Sequence, residues 1–334
     1  MLVAIAALFT WLKERKTKRD KAEETQRRIA AQRDAEAARL EAREATEKLS
    51  TQIERSAVRL ERMPPTDLLG TFDDFFLRSH QAAVAAQELL LRRPNSTEAE
   101  KAAELVRSLL LATASLAQKF EKSPVDVTFS ANVMWYRPWT SIKVADRVDV
   151  DRRLRFHTGE PLDGILDLFG RLSVITDPTA TTPRIDAALP SFAMPVPKVR
   201  HTAEDGWLTL PGAPHAFCAG EMDVCPTLEA LIAKCDQRSV RKHLSSAIKK
   251  HMLEEVPHIQ SFVSLPLARS ANKQHRLGVL NINCSQPNML QDADTQKLFL
   301  LLVRPLLWML AEMIVLLERK HPAVLRAAPA KPST

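Results

Sequence analysis

Glycine is scarce in this sequence, and the short motifs that mark common enzyme sites are missing. Only 8 of the 334 residues are glycine, and neither GxGxxG nor GxxxxGK[ST] occurs. Those two motifs need closely spaced glycines, because the backbone must approach a phosphate group. GxSxG, HExxH and CxxC are absent as well. The sequence therefore argues against a phosphate-binding α/β enzyme and predicts no catalytic site.

Cysteine is also rare. The four cysteines are too few for a disulfide scaffold in a chain of this length, and they predict reduced thiols in a cytosolic compartment. His215, Cys218, Cys225 and Cys235 could be drawn as a metal-binding set. Their spacing lacks the closely spaced cysteine pair that structural zinc favours, so we predict no metal site.

The bulk composition is that of a soluble protein with a sizeable core. Apolar residues make up 45% of the chain and charged residues 26%, and the net charge is +7. The length is about twice that of a typical domain, which predicts two structural units.

The first twelve residues, MLVAIAALFTWL, are apolar, and the basic segment KERKTKRDK follows directly. As a helix the run would rise about 18 Å, short of the roughly 20 residues that a bilayer span needs. A signal peptide places its basic residues first, so this order is reversed. Three interpretations stay open: an interfacial helix on anionic headgroups, the end of a longer span, or a helix buried against another subunit. We expect residues 1–21 to associate with the membrane.

Residues 13–62 contain neither proline nor glycine and are rich in Ala, Glu, Lys and Arg, which predicts a long helix. Small and apolar residues recur with the alternating spacings of a heptad seam. These are Ala31, Ala35, Ala38, Ala42, Ala45 and Leu49, with Ile53 and Leu60 continuing after a stutter. We predict a weak coiled coil that makes the protein a homodimer. A single solvated helix with i,i+4 ion pairs is the alternative.

Residues 66–122 predict a helical hairpin. Apolar residues recur at helical spacing up to residue 91, and ArgArgProAsnSer then interrupts the pattern. Thr97 and Glu100 have the spacing of a capping box at the start of a second helix, which ends near SerPro at 123–124.

Residues 125–320 predict an α+β domain, in which an antiparallel sheet is flanked by helices. Strands are predicted over 126–136, 154–156, 172–176 and 207–212, and helices over 228–253 and 292–319. A hairpin is predicted in residues 262–288 because two apolar runs surround a polar turn. The last helix is apolar for about twenty residues, but Arg304, Pro305 and Glu312 interrupt it. We therefore expect it to pack against the sheet rather than to span a membrane.

The segment VTFSANVMWY resembles the first strand of a GAF domain, and LPGAPHAFCAG (210–220) resembles its ligand-facing loop and short helix. SFVSLPL (261–267) and LGVLNINCSQPN (277–288) resemble its last two strands, and DADTQKLFLLL (292–302) its closing helix. The resemblance covers residues 125–320. The sequence departs from the family in the long proline-rich stretch 176–201 and at Asn283, where many relatives have an acidic residue.

The resemblance implies ligand sensing between the sheet and the helices. In some members of the family the ligand is a metal or haem, so the cofactor here stays unknown. The candidate ligand-binding residues on the matching segments are Trp135, Trp207, His215, Phe217, Cys218 and Cys284. Core packing is the alternative role for the tryptophans and for Cys284.

The sequence as a whole predicts a non-catalytic, dimeric regulator on the cytoplasmic face of the cell membrane, with residues 321–334 as a disordered tail. Its GAF-like domain would bind a small molecule and pass the signal through helices to a separate effector protein. Two alternatives stay open: an assembly protein with an empty GAF-like fold, and an unrecognised enzyme. Nucleic acid is not an expected partner, because the basic face at 238–250 has no interleaved aromatic residues.

Overall fold

The computed structural model describes most of the chain after residue 64. The described residues are 65, 67–91, 96–157, 159–180, 182–199, 201–202, 206–237, 242–269 and 276–326, and all belong to one compact unit, Pro64–Thr334. The predicted membrane segment and coiled coil lie outside the described residues.

Seven of the described strands form one antiparallel sheet. The strands are β1 (Phe129–Pro138), β2 (Leu162–Ile175), β3 (Arg184–Ile185), β4 (Ala193–Pro197), β7 (Asp223–Cys225), β8 (Ser261–Ala268) and β9 (Arg276–Cys284). Their order in the sheet is β3-β2-β1-β9-β8-β7, and β4 pairs with β2 beside β3. Two further short strands, β5 (His201–Thr202) and β6 (Gly206–Trp207), pair with each other.

The helices lie before, between and after these strands. They are α1 (Leu68–Leu91), α2 (Ser96–Phe120), α3 (Val144–Arg153), α4 (Ala213–His215), α5 (Leu228–Gln237), α6 (Lys242–Lys250), α7 (Ala293–Lys320) and α8 (Pro322–Arg326). Wider π-helical turns extend α4 through Ala216–Gly220 and α6 through His251–Glu255, and a 3₁₀ turn follows β1 at Trp139–Ser141.

Strand β1 illustrates that both faces of the sheet are buried. Successive side chains of a strand point to opposite faces. Phe129, Ala131 and Val133 therefore join the core under α1, α2 and α7, whereas Asn132 and Met134 face the other side. Apolar residues occur at both parities, as expected for a strand that is covered on both faces.

Helices α1, α2 and α7 build the main core on one face. Helix α2 buries Val106, Leu110 and Ala114 at helical spacing, and Phe120 at its end meets Phe299 of α7 edge to face with a centroid distance of 5.2 Å. Asp292 is the N-cap of α7, and its side chain accepts a hydrogen bond from the backbone N–H of Thr295 at 3.0 Å. This N-cap satisfies one of the backbone donors at the helix start.

Among the described helices, α7 is the one whose length and apolar composition would also suit a membrane span. In the structure it contacts α1, α2 and strand β8, as the sequence predicts for a packing helix. Its buried residues are Phe299, Val303, Leu306, Leu307, Leu310, Ala311, Met313, Ile314 and Leu317.

The α+β fold class and the antiparallel sheet flanked by helices are confirmed. The closing hairpin and α7 lie where the sequence predicts them, and helices occupy 68–91 and 96–120. Both of these helices share one core with the sheet. Strand β2 is longer than predicted, because residues 162–171 extend the strand that was predicted from residue 172.

Helices occupy 228–237 and 242–250 of the predicted helix 228–253, and residues 238–241 lie outside the described residues. Three predicted elements were wrong. Residues 208–212 of the predicted strand 207–212 follow β6 and form no strand. Residues 154–156 follow α3 and make one isolated bridge through Leu154, so they do not form a strand. The predicted tail starts with helix α8, which is held to the main core by the buried side chain of Leu325.

Candidate functional site

A cavity lies on the face of the sheet opposite α1, α2 and α7. Its volume is about 100 Å³. Strands β1, β8 and β9 form its floor, and the turn before α4 together with α5, α6 and the π-helical turn after α6 form its walls and roof. We refer to it as the sheet pocket.

Polar side chains from three neighbouring strands cross the floor of the sheet pocket. Ser264 donates from Oγ to Oδ1 of Asn281 at 2.7 Å, and Asn281 donates from Nδ2 to Oδ1 of Asn132 at 2.9 Å. One pair further along, Asn283 donates from Nδ2 to Oγ of Ser130 at 3.0 Å. The strand register produces this row, because Asn281 is the pairing partner of both Asn132 and Ser264. All five residues are more than nine-tenths buried.

The walls of the sheet pocket are apolar. Three phenylalanines, three methionines and a group of leucine, isoleucine and valine side chains surround the polar floor. Methionine side chains adapt readily to irregular shapes. Apolar walls with a few convergent polar groups are typical of small-molecule sites. The aromatic and methionine residues are Phe156, Phe192, Phe262, Met134, Met194 and Met252.

His251 is the one titratable side chain among the described residues that line the pocket. Its ring makes edge-to-face contacts with Phe156 and Phe192, with centroid distances of 5.5 and 5.7 Å. Burial lowers the pKa of His251. Glu255, whose Oε2 lies 3.1 Å from Nδ1, opposes this effect, and the positive charge of Arg155 adds to it.

A buried ion pair holds the turn that roofs the pocket. Asp223 accepts a hydrogen bond from the backbone N–H of Gly212 at 2.8 Å and pairs with Nζ of Lys234 on α5. Gly212 has φ of +82°, and a Cβ at this position would lie 2.9 Å from the ring of Phe262. Glycine is therefore required both by the backbone conformation and by the close approach of the turn to strand β8.

Two of the six predicted ligand-binding residues lie on the opposite face of the sheet. Trp135 packs in the main core and stacks on Phe169 with a centroid distance of 6.2 Å. Cys284 is buried in the same core, where burial raises the pKa of its thiol. Neither residue lines the sheet pocket.

Phe217, Cys218 and His215 lie on or near the pocket side. Phe217 and Cys218 pack beside the sheet pocket, in a cluster that shares Met134 and Ala213 with its lining, and Phe217 stacks on Tyr136 with a centroid distance of 4.5 Å. His215 is half-buried, with Nδ1 at 3.3 Å from Oγ1 of Thr209. Trp207 lies in strand β6, and its side chain is outside the described part of the chain. The six residues thus do not converge on one cavity.

No group of three or more His, Cys, Asp or Glu residues in the described part of the chain is arranged to hold a metal ion. The four cysteines form no disulfide. Cys225 and Cys235 pack in one hydrophobic cluster, whereas Cys218 packs in another.

The residues that the sequence did not single out are those of the pocket floor and His251. Asn132 and Asn281 are polar residues inside strongly apolar strands, which is the one signal that could have marked them. A buried polar side chain needs a partner, so polar residues in two adjacent strands suggest that they meet. Which residues meet depends on the strand register.

No protein-family model matches the chain, and no curated protein matches it. The solved structures that are similar to it include three GAF domains. The GAF domain region of a Geobacter sulfurreducens protein is 12% identical, with 63% of this chain and 93% of that chain covered and a TM-score of 0.29. A structure named as the GAF domain is 13% identical, with coverages of 70% and 90% and a TM-score of 0.28. A Burkholderia vietnamiensis protein named as a GAF sensor is 12% identical, with coverages of 68% and 98% and a TM-score of 0.26.

Proposed function

We propose that this chain is a regulatory protein in which the sheet pocket binds a small ligand and the helices on the far face of the sheet carry the response to a separate effector protein. The sheet pocket is the single observation that carries this proposal. Its floor brings four buried polar side chains, those of Asn132, Ser264, Asn281 and Asn283, together between apolar walls, an arrangement suited to orienting a small molecule.

Strand β1 provides a direct connection between the two faces of the sheet. Asn132 contacts the pocket, and its neighbours Ala131 and Val133 pack in the core under α1, α2 and α7. A ligand that binds two packing arrangements of this core with different affinity would shift their populations. The response would then reach α1, which follows the predicted coiled coil in sequence.

The segments before residue 64 supply the location and the oligomeric state in this proposal. The apolar and basic residues 1–21 would place the protein on the cytoplasmic face of the membrane, and the alanine seam in residues 31–60 would pair two copies. The apolar and basic composition of residues 1–21 supports the first assignment, and the heptad spacing supports the second.

Native mass spectrometry of the full-length protein, purified in detergent from its own host, tests ligand binding. We expect an additional mass that disappears when the protein is denatured. Met252→Trp should remove that mass, because the larger side chain fills the pocket that Met252 lines. Leu253→Trp is the matched control. Leu253 follows Met252 in the sequence, but its side chain is 54% exposed and does not line the pocket.

A bare protein mass, unchanged across a panel of metabolites, would contradict the sensing proposal. It would favour the alternative, an assembly protein in which the same fold serves as a packing block without a ligand. An additional mass that survives Met252→Trp would show that the ligand binds elsewhere.

A further inference from the structure

The described residues that line the sheet pocket offer no formal charge to a ligand. These twenty residues include no Asp, Glu, Lys or Arg. His251 is the lining residue that could carry a charge, and burial lowers its pKa, which favours the neutral form. An ionised ligand group would lose its hydration without gaining a partner of opposite charge, which is strongly unfavourable. The pocket therefore selects against ionised ligands.

Two side chains of the pocket floor nevertheless have a hydrogen-bonding group without a described partner. Asn132 uses Oδ1 to accept from Asn281, and among the described residues nothing accepts from its Nδ2. Asn283 uses Nδ2 to donate to Ser130, and no described residue donates to its Oδ1. Both residues are more than nine-tenths buried and line the pocket. The pocket floor therefore presents one donor and one acceptor without a described partner, and a bound molecule can use both.

The donor and the acceptor are close enough to meet one small molecule. Asn281 is the pairing partner of Asn132, and Asn283 follows two residues later on the same strand, so Asn132 and Asn283 are diagonal neighbours. Diagonal neighbours on adjacent antiparallel strands are about 7–8 Å apart at the backbone, and long side chains bridge part of that distance.

We infer that the sheet pocket binds an uncharged molecule with a planar amide-like edge, such as a carboxamide, a urea or a ring lactam, whose carbonyl accepts from Asn132 and whose N–H donates to Asn283. This inference rests on the proposed function and adds the chemical class of the ligand. The phenylalanine and methionine side chains of the walls would contact the remainder of the molecule.

Three planar probes of nearly equal size separate the effect of charge from that of shape. Benzamide is neutral with an amide edge, benzoate is its anionic counterpart, and benzamidinium is its cationic counterpart. Binding to the full-length protein in detergent is measured by saturation-transfer NMR with a titration of each probe. We expect benzamide to bind at least tenfold more tightly than either charged probe.

Replacing Asn283 with aspartate should change the charge preference of the pocket in favour of the cationic probe. Asn283→Asp keeps the shape of the side chain but places a carboxylate in the pocket, so we expect benzamidinium to bind this variant at least tenfold more tightly than it binds the parent protein. Asn288→Asp is the matched control, because Asn288 is exposed, lies outside the pocket and undergoes the same change of charge. Circular dichroism confirms that each variant is folded.

Equal binding of benzoate and benzamide, or binding of none of the three probes, would overturn the ligand class. The mass spectrometry described above distinguishes this failure from a failure of the proposed function. A co-purified ligand that is anionic would overturn the class and leave ligand sensing intact. A bare protein mass, together with no binding of any of the three probes, would overturn both the ligand class and the proposed function.

Discussion

Gly278 is a residue whose replacement the sheet cannot accommodate. It lies in strand β9 opposite Trp135, and a Cβ at this position would overlap the backbone carbonyl oxygen of Met134 and lie 3.1 Å from Cα of Trp135. The obstacle is backbone at the centre of the sheet, which cannot rotate away. We expect Gly278→Ala to lower the free energy of unfolding by about 1–3 kcal/mol or more, measured by chemical denaturation.

Gly70 gives the matched control for this prediction. It is exposed on α1, and a Cβ there would meet nothing within 4 Å. Alanine is a better helix former than glycine, so Gly70→Ala should raise the free energy of unfolding by about 0.5–1 kcal/mol. Equal effects of the two substitutions would contradict the close strand packing around Gly278.

His251 should make stability depend on pH. Burial lowers its pKa in the folded chain below the ordinary value of 6.5, so the unfolded chain binds a proton more readily. Stability is therefore fully present above pH 6.5 and is lost as the pH falls from there toward the folded-state pKa. We expect the thermal midpoint to fall between about pH 7.5 and 5.5, and His251→Gln to reduce that fall.

His80 allows this effect to be separated from that of histidines in general. It is exposed on α1, so His80→Gln should leave the pH dependence of the thermal midpoint as it is in the parent protein. If His80→Gln and His251→Gln changed the pH dependence equally, the burial of His251 could not be its cause.

At the scale of elements, the sequence predicts best where apolar patterning is strong. The β8–β9 hairpin and α7 have long apolar runs with clear ends, and both lie where they were predicted. Helix α3 was not predicted because its sequence, VADRVDVDRR, is mostly charged and buries one residue, Val150. The first half of β2 was missed because Asp163 and Asp167 interrupt its apolar residues. Asp167 is tolerated there because it pairs with Arg137 at 2.9 Å, a contact that pattern reasoning does not reveal.

The candidate site was predicted less well than the fold, for a reason that lies in strand geometry. Trp135 and Asn132 are three residues apart on β1 and point to opposite faces, but both faces are buried and carry apolar residues. Alternation therefore cannot tell which face holds a pocket. The polar row on the floor depends on the register of β1, β8 and β9, and hence on contacts up to 153 residues apart.

Helix α7 should respond very differently to the same substitution on its two sides. Leu310 is buried against the main core, and Leu301 is 63% exposed. Leu310→Ala leaves a cavity and should lower the free energy of unfolding by about 2–5 kcal/mol. Leu301→Ala should change it by less than about 0.5 kcal/mol. Similar losses at both positions, measured by denaturation in the same detergent, would show that the exposed side of α7 is also covered in the protein.

At the scale of the whole molecule, the proposed dimer depends on the alanine seam in residues 31–60. Ala38 and Ala42 are consecutive seam positions, whose small side chains would allow two helices to approach closely. The double variant Ala38→Glu/Ala42→Glu places two like charges of each copy in that interface. We expect it to convert the dimer to a monomer in light scattering coupled to size-exclusion chromatography.

Ala30→Glu/Ala37→Glu is the control for this last experiment. Ala30 and Ala37 are seven residues apart and lie off the seam, so the variant has the same composition and net charge but leaves the predicted interface unchanged. It should stay dimeric. If both double variants became monomeric, added charge in general would be the cause. If both stayed dimeric, the two copies would associate through another surface, and a ligand signal would have to pass between them through residues 64–334 rather than through the predicted coiled coil.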